Sequence, residues 1–489
     1  MVLAGRRKIF TDESEVTIDN VQMIVNASML EHQQNVSEIK YLRNYVKGIH
    51  PAIRDREKDV RPEINIKSVF NKASQIVEFK LAYEFGSPVT FVQRSNDDDN
   101  SGEHDDKAVG KLNEILNNAK KPSVDLKIAR DMKVCGLGYR LIEPSKKRNQ
   151  IIKMTNLDPE TTFVIYRNDA YREPLLGVTY FQNQDGTLRI SAYSEHERFE
   201  FLTPQFNLDS MLDTGITRYP NLIGEIPIIE YVNDHDRMSS FERVISLIDD
   251  LDLVNSDRLN DIAQHVQSLL WLNNADIEEE NLPNLREYGI IKTKSANGIN
   301  ANVSYVESSL GQSEVQTLVD YIDGQIDIIA NIPGRQETGG GSTGAAMNLS
   351  NGWQIAEVSA KASEIIFSEG EQRMLSVIDG ILANSINVPS ELSDLNIMDI
   401  DPKFSRNKTY DLATKCSSLA ALLNVGVDGL TAFTVVGLFT DPQLAWNNSK
   451  DIVDKIRTSK GDISKDDAIS IVQNTTQQPS KVSNVDEGV

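Results

Sequence analysis

The sequence from Gln312 to Asn384 reads QSEVQTLVDYIDGQIDIIANIPGRQETGGGSTGAAMNLSNGWQIAEVSAKASEIIFSEGEQRMLSVIDGILAN. Apolar residues recur at steps of three and four from Val315 to Ile329, which predicts an amphipathic helix. Asn331-Ile332-Pro333 ends that helix, and the Gly- and Ser-rich run after it is typical of a flexible loop. Helical spacing resumes at Trp353 and predicts a long second helix to about Asn384.

A strongly helical segment also precedes this stretch. From Arg237 to Trp271, apolar residues including Phe241 and Leu269 recur at helical spacing. Between that segment and Gln312, the sequence has an acidic triplet and short β-type runs at Gly289–Lys292 and Asn302–Val306. These features predict a small α/β insert between two helices.

Residues 1–233 mix helical and β-type patterns. Helices are predicted over Asp19–Val46, Ser68–Phe85, Lys107–Ala119 and Asp125–Val134. Strands are predicted over Val89–Val92, Tyr139–Ile142, Thr162–Tyr166, Leu176–Phe181 and Arg189–Tyr193. The fold class that follows is α+β, with one antiparallel sheet in this first part.

The C-terminal part is mainly helical. A strand is predicted over Leu395–Ile400, followed by helices over Thr409–Leu423, Gly429–Val436 and Pro442–Arg457 that form a compact cap. Residues 473–489 are polar and lack an apolar period, so we expect them to be disordered or bound to a partner.

Charge and cysteine content narrow the function classes. The chain has 50 Lys and Arg against 72 Asp and Glu, a net charge of −22, which disfavours a protein that grips phosphates over its whole surface. A polyanion sliding through an acidic passage without sticking is compatible with this charge. Cys135 and Cys416 lack any spacing typical of a disulfide framework or a zinc site, so a reducing compartment is expected. With no signal peptide and no long apolar run, we expect no membrane span.

Motifs that would carry chemistry are incomplete. Gly339–Gly344 could cradle a phosphate, but a P-loop requires Gly-Lys-Ser/Thr, and Ala345-Ala346-Met347 follows here. No pair of histidines has the spacing of a zinc hydrolase. His235, between Asp234 and Asp236, is either a metal ligand or part of a helix N-cap cluster. We expect no enzyme activity, no metal and no cofactor.

Two acidic segments allow alternative interpretations. Residues 95–106 imitate the first half of an EF-hand loop, but Ala108 occupies the position where the bidentate Glu is needed, so a solvated loop is favoured. Asp320, Asp323 and Asp327 lie to one side of the helix that begins near Gln312. They form either a solvated helix surface or the lining of a channel.

Several motifs, in a shared order, resemble the portal proteins of tailed double-stranded DNA bacteriophages, in particular long-tailed phages of Gram-positive hosts. The resemblance covers about Tyr41 to Arg457. The motifs that carry it are YLRNYVKGIHP (41–51), VEFKLAYEFGSPV (77–89), DPETTFVIY (158–166), PLLGV (174–178) and FSRN (404–407).

The resemblance implies an architecture around a central channel in a ring oligomer. The implied parts are a wing (1–233 and 353–405), two stem helices (234–270 and 312–332), a clip (271–311), a tunnel loop (333–352), a crown (406–460) and a flexible tail (461–489). The implied function is that of a non-enzymatic ring of twelve subunits at one capsid vertex, through which double-stranded DNA is packaged and ejected.

The resemblance also implies partners and sites. The partners are the terminase large subunit, which hydrolyses ATP, the major capsid and scaffolding proteins, and a head-completion adaptor. The implied place is the virion, after assembly in the host cytoplasm. The candidate residues facing DNA are Asp320, Asp323, Asp327, Arg335, Gly339, Gly340, Gly341, Ser342 and Thr343. The candidate clip residues facing the terminase or adaptor are Glu278, Glu279, Glu280 and Arg286.

Two rival functions remain open from the sequence. The first is a soluble structural adaptor without a role in DNA handling, in which the two stem helices form an ordinary bundle. The second is a nucleotide-dependent enzyme that uses the Gly-rich loop. Ring symmetry distinguishes the portal from the first rival, and protection of the loop by ATP distinguishes it from the second.

Overall fold

The structure is a computed structural model that describes residues 4–59, 62–94, 102–147, 150–203, 215–266, 269–273, 275–276, 294–295, 302–306, 311–334, 352–385, 388–392, 396–406, 412–439, 445–450 and 452–453. Helices and strands mix along the chain, so the α+β prediction is confirmed. By its internal contacts the chain divides into two units, Met1–Arg406 and Asn407–Val489.

The helices of the first unit are α1 (Val21–Val46), α2 (Pro51–Arg54), α3 (Lys72–Phe85), α4 (Gly102–Asn118), α5 (Lys121–Cys135), α6 (Ile245–Val266), α7 (Gln312–Ile329) and α8 (Trp353–Ala383). Its main strands are β1 (Ile9–Thr11), β2 (Thr90–Gln93), β3 (Leu137–Pro144), β4 (Ile152–Leu157), β5 (Thr162–Arg167), β6 (Pro174–Gln182), β7 (Leu188–Tyr193), β8 (Glu197–Thr203), β9 (Thr217–Pro220) and β10 (Ile228–Val232). Short strands follow at Leu269–Asn273, Ala275–Asp276, Lys294–Ser295, Asn302–Val306 and Ile400–Lys403.

The strands of residues 1–233 do not form one sheet, so that prediction was wrong. One sheet has the order β1-β5-β6-β7-β8-β9, and a second has the order β10-β3-β4. Pairing is antiparallel except between β1 and β5, which are parallel. Hairpin neighbours such as β6 and β7 follow from the Asp185-Gly186 turn, whereas β10 pairs with the distant β3, and no local pattern specifies that choice.

Alternation along β5 explains why both faces of the larger sheet are covered. Phe163 and Ile165 point into a core with α1, while Val164 and Tyr166 point into a second core with α3 and α6. A third core lies between the smaller sheet and helices α4, α5 and α8. Gly370 permits the close approach of α8, because a Cβ there would lie 2.3 Å from the Tyr231 ring.

A buried network of charges holds α8 against α5 and β3. The Lys121 ammonium lies 2.6 Å from Asp125 Oδ2 and 2.7 Å from Glu371 Oε2. The Arg140 guanidinium lies 2.9 Å from Glu371 Oε1 and also pairs with Asp125. The Tyr231 hydroxyl donates to Glu371 at 3.0 Å. Two positive charges therefore balance two negative ones away from water.

The part after α8 returns to the N-terminal body. Ile400–Lys403 pairs with β2, antiparallel, with Ile400 opposite Gln93. The strand predicted over Leu395–Ile400 is therefore displaced, because Asn396 caps a short 3-10 helix over Ile397–Asp399 that precedes the pairing. This pairing joins residues that lie about 300 positions apart in the chain.

Several predicted helix boundaries were wrong. The helix predicted from Ser68 begins at Lys72, because the Asn71 side chain accepts a hydrogen bond from Ser74 N at 3.1 Å and caps it. The acidic segment predicted as a loop becomes helical at Gly102. The helix predicted to Trp271 ends at Val266, and Leu269–Asn273 instead pairs with Asn302–Val306, since a short apolar run fits either structure.

The second unit contains helices over Leu412–Val425 and Gly429–Val436, and residues 445–450 are also helical. Asp428 caps the helix that begins at Gly429 by accepting from Thr431 N at 3.1 Å. The Trp446 ring packs against Gly429 and lies 5.7 Å from the Phe433 ring. The helical content predicted for this part is confirmed.

The buried imidazole of His32 makes folding dependent on pH. Its ring stacks on Phe163 with 4.4 Å between centroids, and burial lowers its pKa from 6.5 to about 4. Between these values the unfolded chain binds a proton that the folded chain excludes, so stability falls as pH falls from 6.5 towards 4. The full loss from this group is about 3 kcal/mol.

Urea unfolding of the wild type and of His32→Phe across this pH range measures that contribution. The free energy of unfolding of the wild type is expected to decline more steeply than that of the variant. His196→Phe, at an exposed histidine, should keep the wild-type slope. Parallel curves for the wild type and His32→Phe would show that His32 does not contribute.

Candidate functional site

The two helices that flank the small insert pack against each other. Ile322 and Ile326 of α7 lie in the same buried cluster as Ile248 and Leu251 of α6. The apolar stripes read from the sequence therefore meet, at least in part, within one chain. We call α6 and α7 together the stem pair.

A polar row on α6 binds the backbone of an extended segment, residues 64–70, which we call the strap. Asp252, Ser256 and Asn260 are spaced four residues apart and are buried. They accept hydrogen bonds from three strap amides: Phe70 N to Asp252 Oδ1 at 2.6 Å, Ser68 N to Ser256 Oγ at 2.9 Å, and Ile66 N to Asn260 Oδ1 at 2.6 Å.

The spacing of the two elements explains this match. Four residues of helix rise about 6 Å, and two residues of extended chain span about 6.6 Å. Every second strap amide therefore reaches every fourth residue of α6, and the two elements run antiparallel. This row serves packing of the strap and is not available to a ligand.

The Asp252 carboxylate also binds a buried histidine. His50 Nδ1 lies 2.5 Å from Asp252 Oδ2, and His50 Nε2 lies 3.0 Å from the Tyr45 carbonyl oxygen. The Tyr45 ring stacks on the imidazole at 3.9 Å, and its hydroxyl donates to Asp249 Oδ1 at 2.7 Å. Burial and the neighbouring Asp249 raise the pKa of Tyr45, which therefore stays protonated. The N-terminal half of α6 is thus fixed to the C-terminal end of α1.

The residues just before α6 are fixed to the N-terminal segment by a buried ion pair and backbone hydrogen bonds. The Arg6 guanidinium lies 2.9 Å from both Glu38 Oε2 and Glu242 Oε1, and its side chain is fully buried. Gly5 N and Ser239 N donate to the Glu242 carboxylate at 3.1 and 2.8 Å. These contacts fix the orientation of the chain where α6 begins.

The structure separates the three aspartates that the sequence placed together. Asp320 is exposed and accepts from Gln316 Nε2 at 2.7 Å. Asp323 and the buried Asp327 both pair with the Lys72 ammonium, with 3.6 Å to Asp327 Oδ1. Asp323 and Asp327 therefore share one compensating positive charge at the junction of α7 with α3.

The remaining candidate residues lie outside the described residues. They are Arg335, Gly339, Gly340, Gly341, Ser342 and Thr343 of the predicted tunnel loop, and Glu278, Glu279, Glu280 and Arg286 of the predicted clip. Their proposed roles remain predictions.

The segment around His235 shows how its aspartates are used. Asp234 Oδ1 accepts from Met238 N at 2.9 Å, and the Arg243 guanidinium lies 3.0 Å from Asp234 and 3.1 Å from Asp236. Both carboxylates thus hold the turn that leads into α6. Across the described ranges, no group of three or more His, Cys, Asp or Glu side chains is arranged to hold a metal ion.

One of the two cysteines is buried and the other is exposed. Burial raises the pKa of the Cys135 thiol to about 12, so this side chain is a packed thiol and a poor nucleophile. Cys416 is exposed.

In the part of the chain that the structure describes, no helix has the length and apolar character to cross a membrane.

Sequence reasoning missed the partners of the stem pair. Lys72, His50 and the row Asp252, Ser256 and Asn260 all fix α6 or α7, and none was singled out. The four-residue spacing of these polar residues along one side of α6 was a usable signal for the row. Lys72 gave no signal, because its carboxylate partners lie far along the chain.

Two matches to known proteins bear on the family of this chain. The profile of the family described as "Phage portal protein, SPP1 Gp6-like" matches residues 29–427, which is most of the chain. The portal protein of Bacillus phage SPP1 is 22% identical over 221 residues, which cover 42% of this chain and 43% of that protein. The alignment thus spans less than half the length of that relative. Because the family profile matches far more than half of the sequence, the chain belongs to the SPP1 Gp6-like family of phage portal proteins.

Proposed function

We propose that this chain is the ring subunit of a phage portal vertex, the conduit through which double-stranded DNA is packaged and ejected. The observation that carries the proposal is the combination of family membership with a stem pair whose apolar side chains are only partly covered. The chain acts mechanically in this account, and ATP hydrolysis belongs to the terminase large subunit.

The uncovered side chains support a ring. Large apolar residues on the stem pair remain 39–64% exposed: Leu253, Leu259 and Ile262 on α6, and Leu318, Tyr321 and Ile328 on α7. Apolar side chains grouped on a surface mark contacts with other proteins. Repeating one head-to-tail contact around an axis buries these side chains in every copy and closes a ring. We propose that the ring has twelve subunits.

Charge supports a passage that does not hold DNA. A surface with net negative charge repels phosphates, so DNA can move along it without forming lasting contacts. We propose Asp320 as the stem carboxylate that faces the channel, since it is exposed. Asp323 and Asp327 contribute less to such a wall because they share the positive charge of Lys72. Arg335 and the loop Gly339–Thr343 are proposed to lie nearest the DNA.

The other parts keep the roles that the family resemblance implies. We propose that the clip, with Glu278–Glu280 and Arg286, contacts the terminase and later the head-completion adaptor. The wing would contact the major capsid and scaffolding proteins. Pairing of Ile400–Lys403 with β2 supports a wing built from two separate parts of the chain. The protein would be assembled in the host cytoplasm and reside in the virion.

Deleting Gly339–Gly344 tests the role of the tunnel loop. The deletion is expected to leave ring formation intact and to reduce packaged DNA to a small fraction of the wild-type amount, because a shortened loop cannot adjust to passing phosphates. Plaque titre and nuclease-protected DNA in purified heads measure the effect. Deleting six residues of the tail, Lys481–Asp486, is the matched control. Normal packaging by the loop variant would contradict the proposed role.

A further inference from the structure

Most arginines in the described part of the chain pair with a carboxylate, as expected when acidic residues are in excess. Arg172 and Arg373 are exposed, and neither has a carboxylate partner within the described ranges. Lys8 shares this property and is half-buried. These three cations lie together in a chain of net charge −22.

The three cations surround a pair of aromatic rings at the edge of the larger sheet. Lys8 Nζ lies 3.8 Å from the centroid of the Tyr166 ring and 5.8 Å from that of Phe10. The Arg172 guanidinium lies 5.5 Å from the Phe10 ring. Arg373, on the exposed side of α8, is close enough to act electrostatically on both Lys8 and Tyr166. We call Lys8, Arg172 and Arg373 the basic cluster.

The charge of the basic cluster is not balanced locally. Burial lowers the pKa of Lys8, and the positive charges of Arg237, Arg373 and Arg172 act in the same direction. The nearby Glu230 opposes them, but its carboxylate already binds Arg237 at 2.5 Å and the hydroxyls of Tyr139 and Tyr166. Like charges held together destabilise one another until an anion arrives.

The turn between β5 and β6 presents the cluster outward. Asp169 Oδ1 accepts from Tyr171 N at 3.0 Å and from Arg172 N at 2.7 Å. Arg172 has a φ of +52°, a strained conformation for a residue with a side chain, and Tyr171 is 85% exposed. Exposed tyrosine beside arginine is the composition of protein-interface hot spots.

We propose that the basic cluster, with Tyr171, docks onto carboxylates of a second copy of this chain. Charge complementarity selects that occupant, because two copies of charge −22 repel each other unless a basic patch of one meets acidic groups of the next. The Tyr171 ring adds apolar contact area that suits a protein partner. DNA is disfavoured because the field of the whole chain repels it. The inference rests on the proposed ring and names one contact that closes it.

Charge reversal tests this contact. The double variant Arg172→Glu/Arg373→Glu is compared with Lys40→Glu/Lys127→Glu, which changes the net charge equally at exposed lysines of α1 and α5 outside the cluster. Native mass spectrometry and negative-stain microscopy at about 0.15 M salt give the fraction of chain in rings. We expect at least a roughly tenfold lower ring fraction for the first variant and little change for the second. Circular dichroism checks that both remain folded.

The outcomes separate this inference from the proposed function. Wild-type rings that disappear only in the cluster variant support the inference. Rings that persist in the cluster variant overturn it and leave the portal function standing. If the cluster variant keeps its rings and loses only weak binding of duplex DNA, the cluster is a phosphate contact and the inference is wrong. A wild-type chain that remains monomeric overturns both.

Discussion

Replacing Glu371 by Gln is expected to lower the free energy of unfolding by about 3–5 kcal/mol. The carboxylate accepts from Arg140, Lys121 and Tyr231 in a site from which water is excluded, and its own exposure is 0%. Removing its charge leaves two buried cations facing only Asp125. An uncompensated buried charge is far more costly than the net worth of an intact network.

Denaturant unfolding followed by circular dichroism measures this loss. Glu369→Gln is the matched control, because Glu369 lies on the same helix two residues earlier and is exposed. We expect the control to stay within about 0.5 kcal/mol of the wild type. A Glu371→Gln variant equally close to the wild type would show that α8 does not depend on the network.

Replacing Asp252 by Ala is expected to cost about 3 kcal/mol, because it leaves the buried His50 ring and the partly buried Phe70 amide without their acceptor. The strap should then loosen from α6, so limited proteolysis is expected to cut within residues 64–70 sooner than in the wild type. Asp250→Ala, at an exposed position of the same helix, is the control for both measurements. An unchanged cleavage rate in the Asp252 variant would contradict the role of the strap.

Helices with a long apolar period were predicted well from the sequence. Gln312–Ile329 and Trp353–Ala383 lie within a few residues of their predicted bounds, because helical periodicity, a Pro stop and Gly-rich flanks are all local signals. The strands of β5, β6 and β7 were also predicted, since alternating β-branched and aromatic residues mark them.

Pairing between distant segments could not be predicted. The strands divide into two sheets because β10 pairs with the distant β3. Helix α6 ends where it does because Leu269–Asn273 pairs with Asn302–Val306. The last residues of the strap, 68–70, were mistaken for the first turn of α3 because Val69 continues the apolar period. Their true position follows from hydrogen bonds to α6, which no local window contains.

The candidate site was predicted only in outline. The common face of Asp320, Asp323 and Asp327 follows from helix geometry, but their environment does not, because Lys72 approaches from another helix. The basic cluster could not be predicted for the same reason, because Lys8, Arg172 and Arg373 come from three separate segments of the chain. Charge that looks evenly spread in the sequence is therefore sorted by the fold into paired and unpaired groups.

Negative-stain electron microscopy of the purified chain, combined with native mass measurement of the same sample, tests whether the chain forms a ring. We expect closed rings of twelve subunits of 54.6 kDa each around a central hole. A uniform monomer or dimer at the same concentration would contradict this expectation and favour a structural adaptor without a channel.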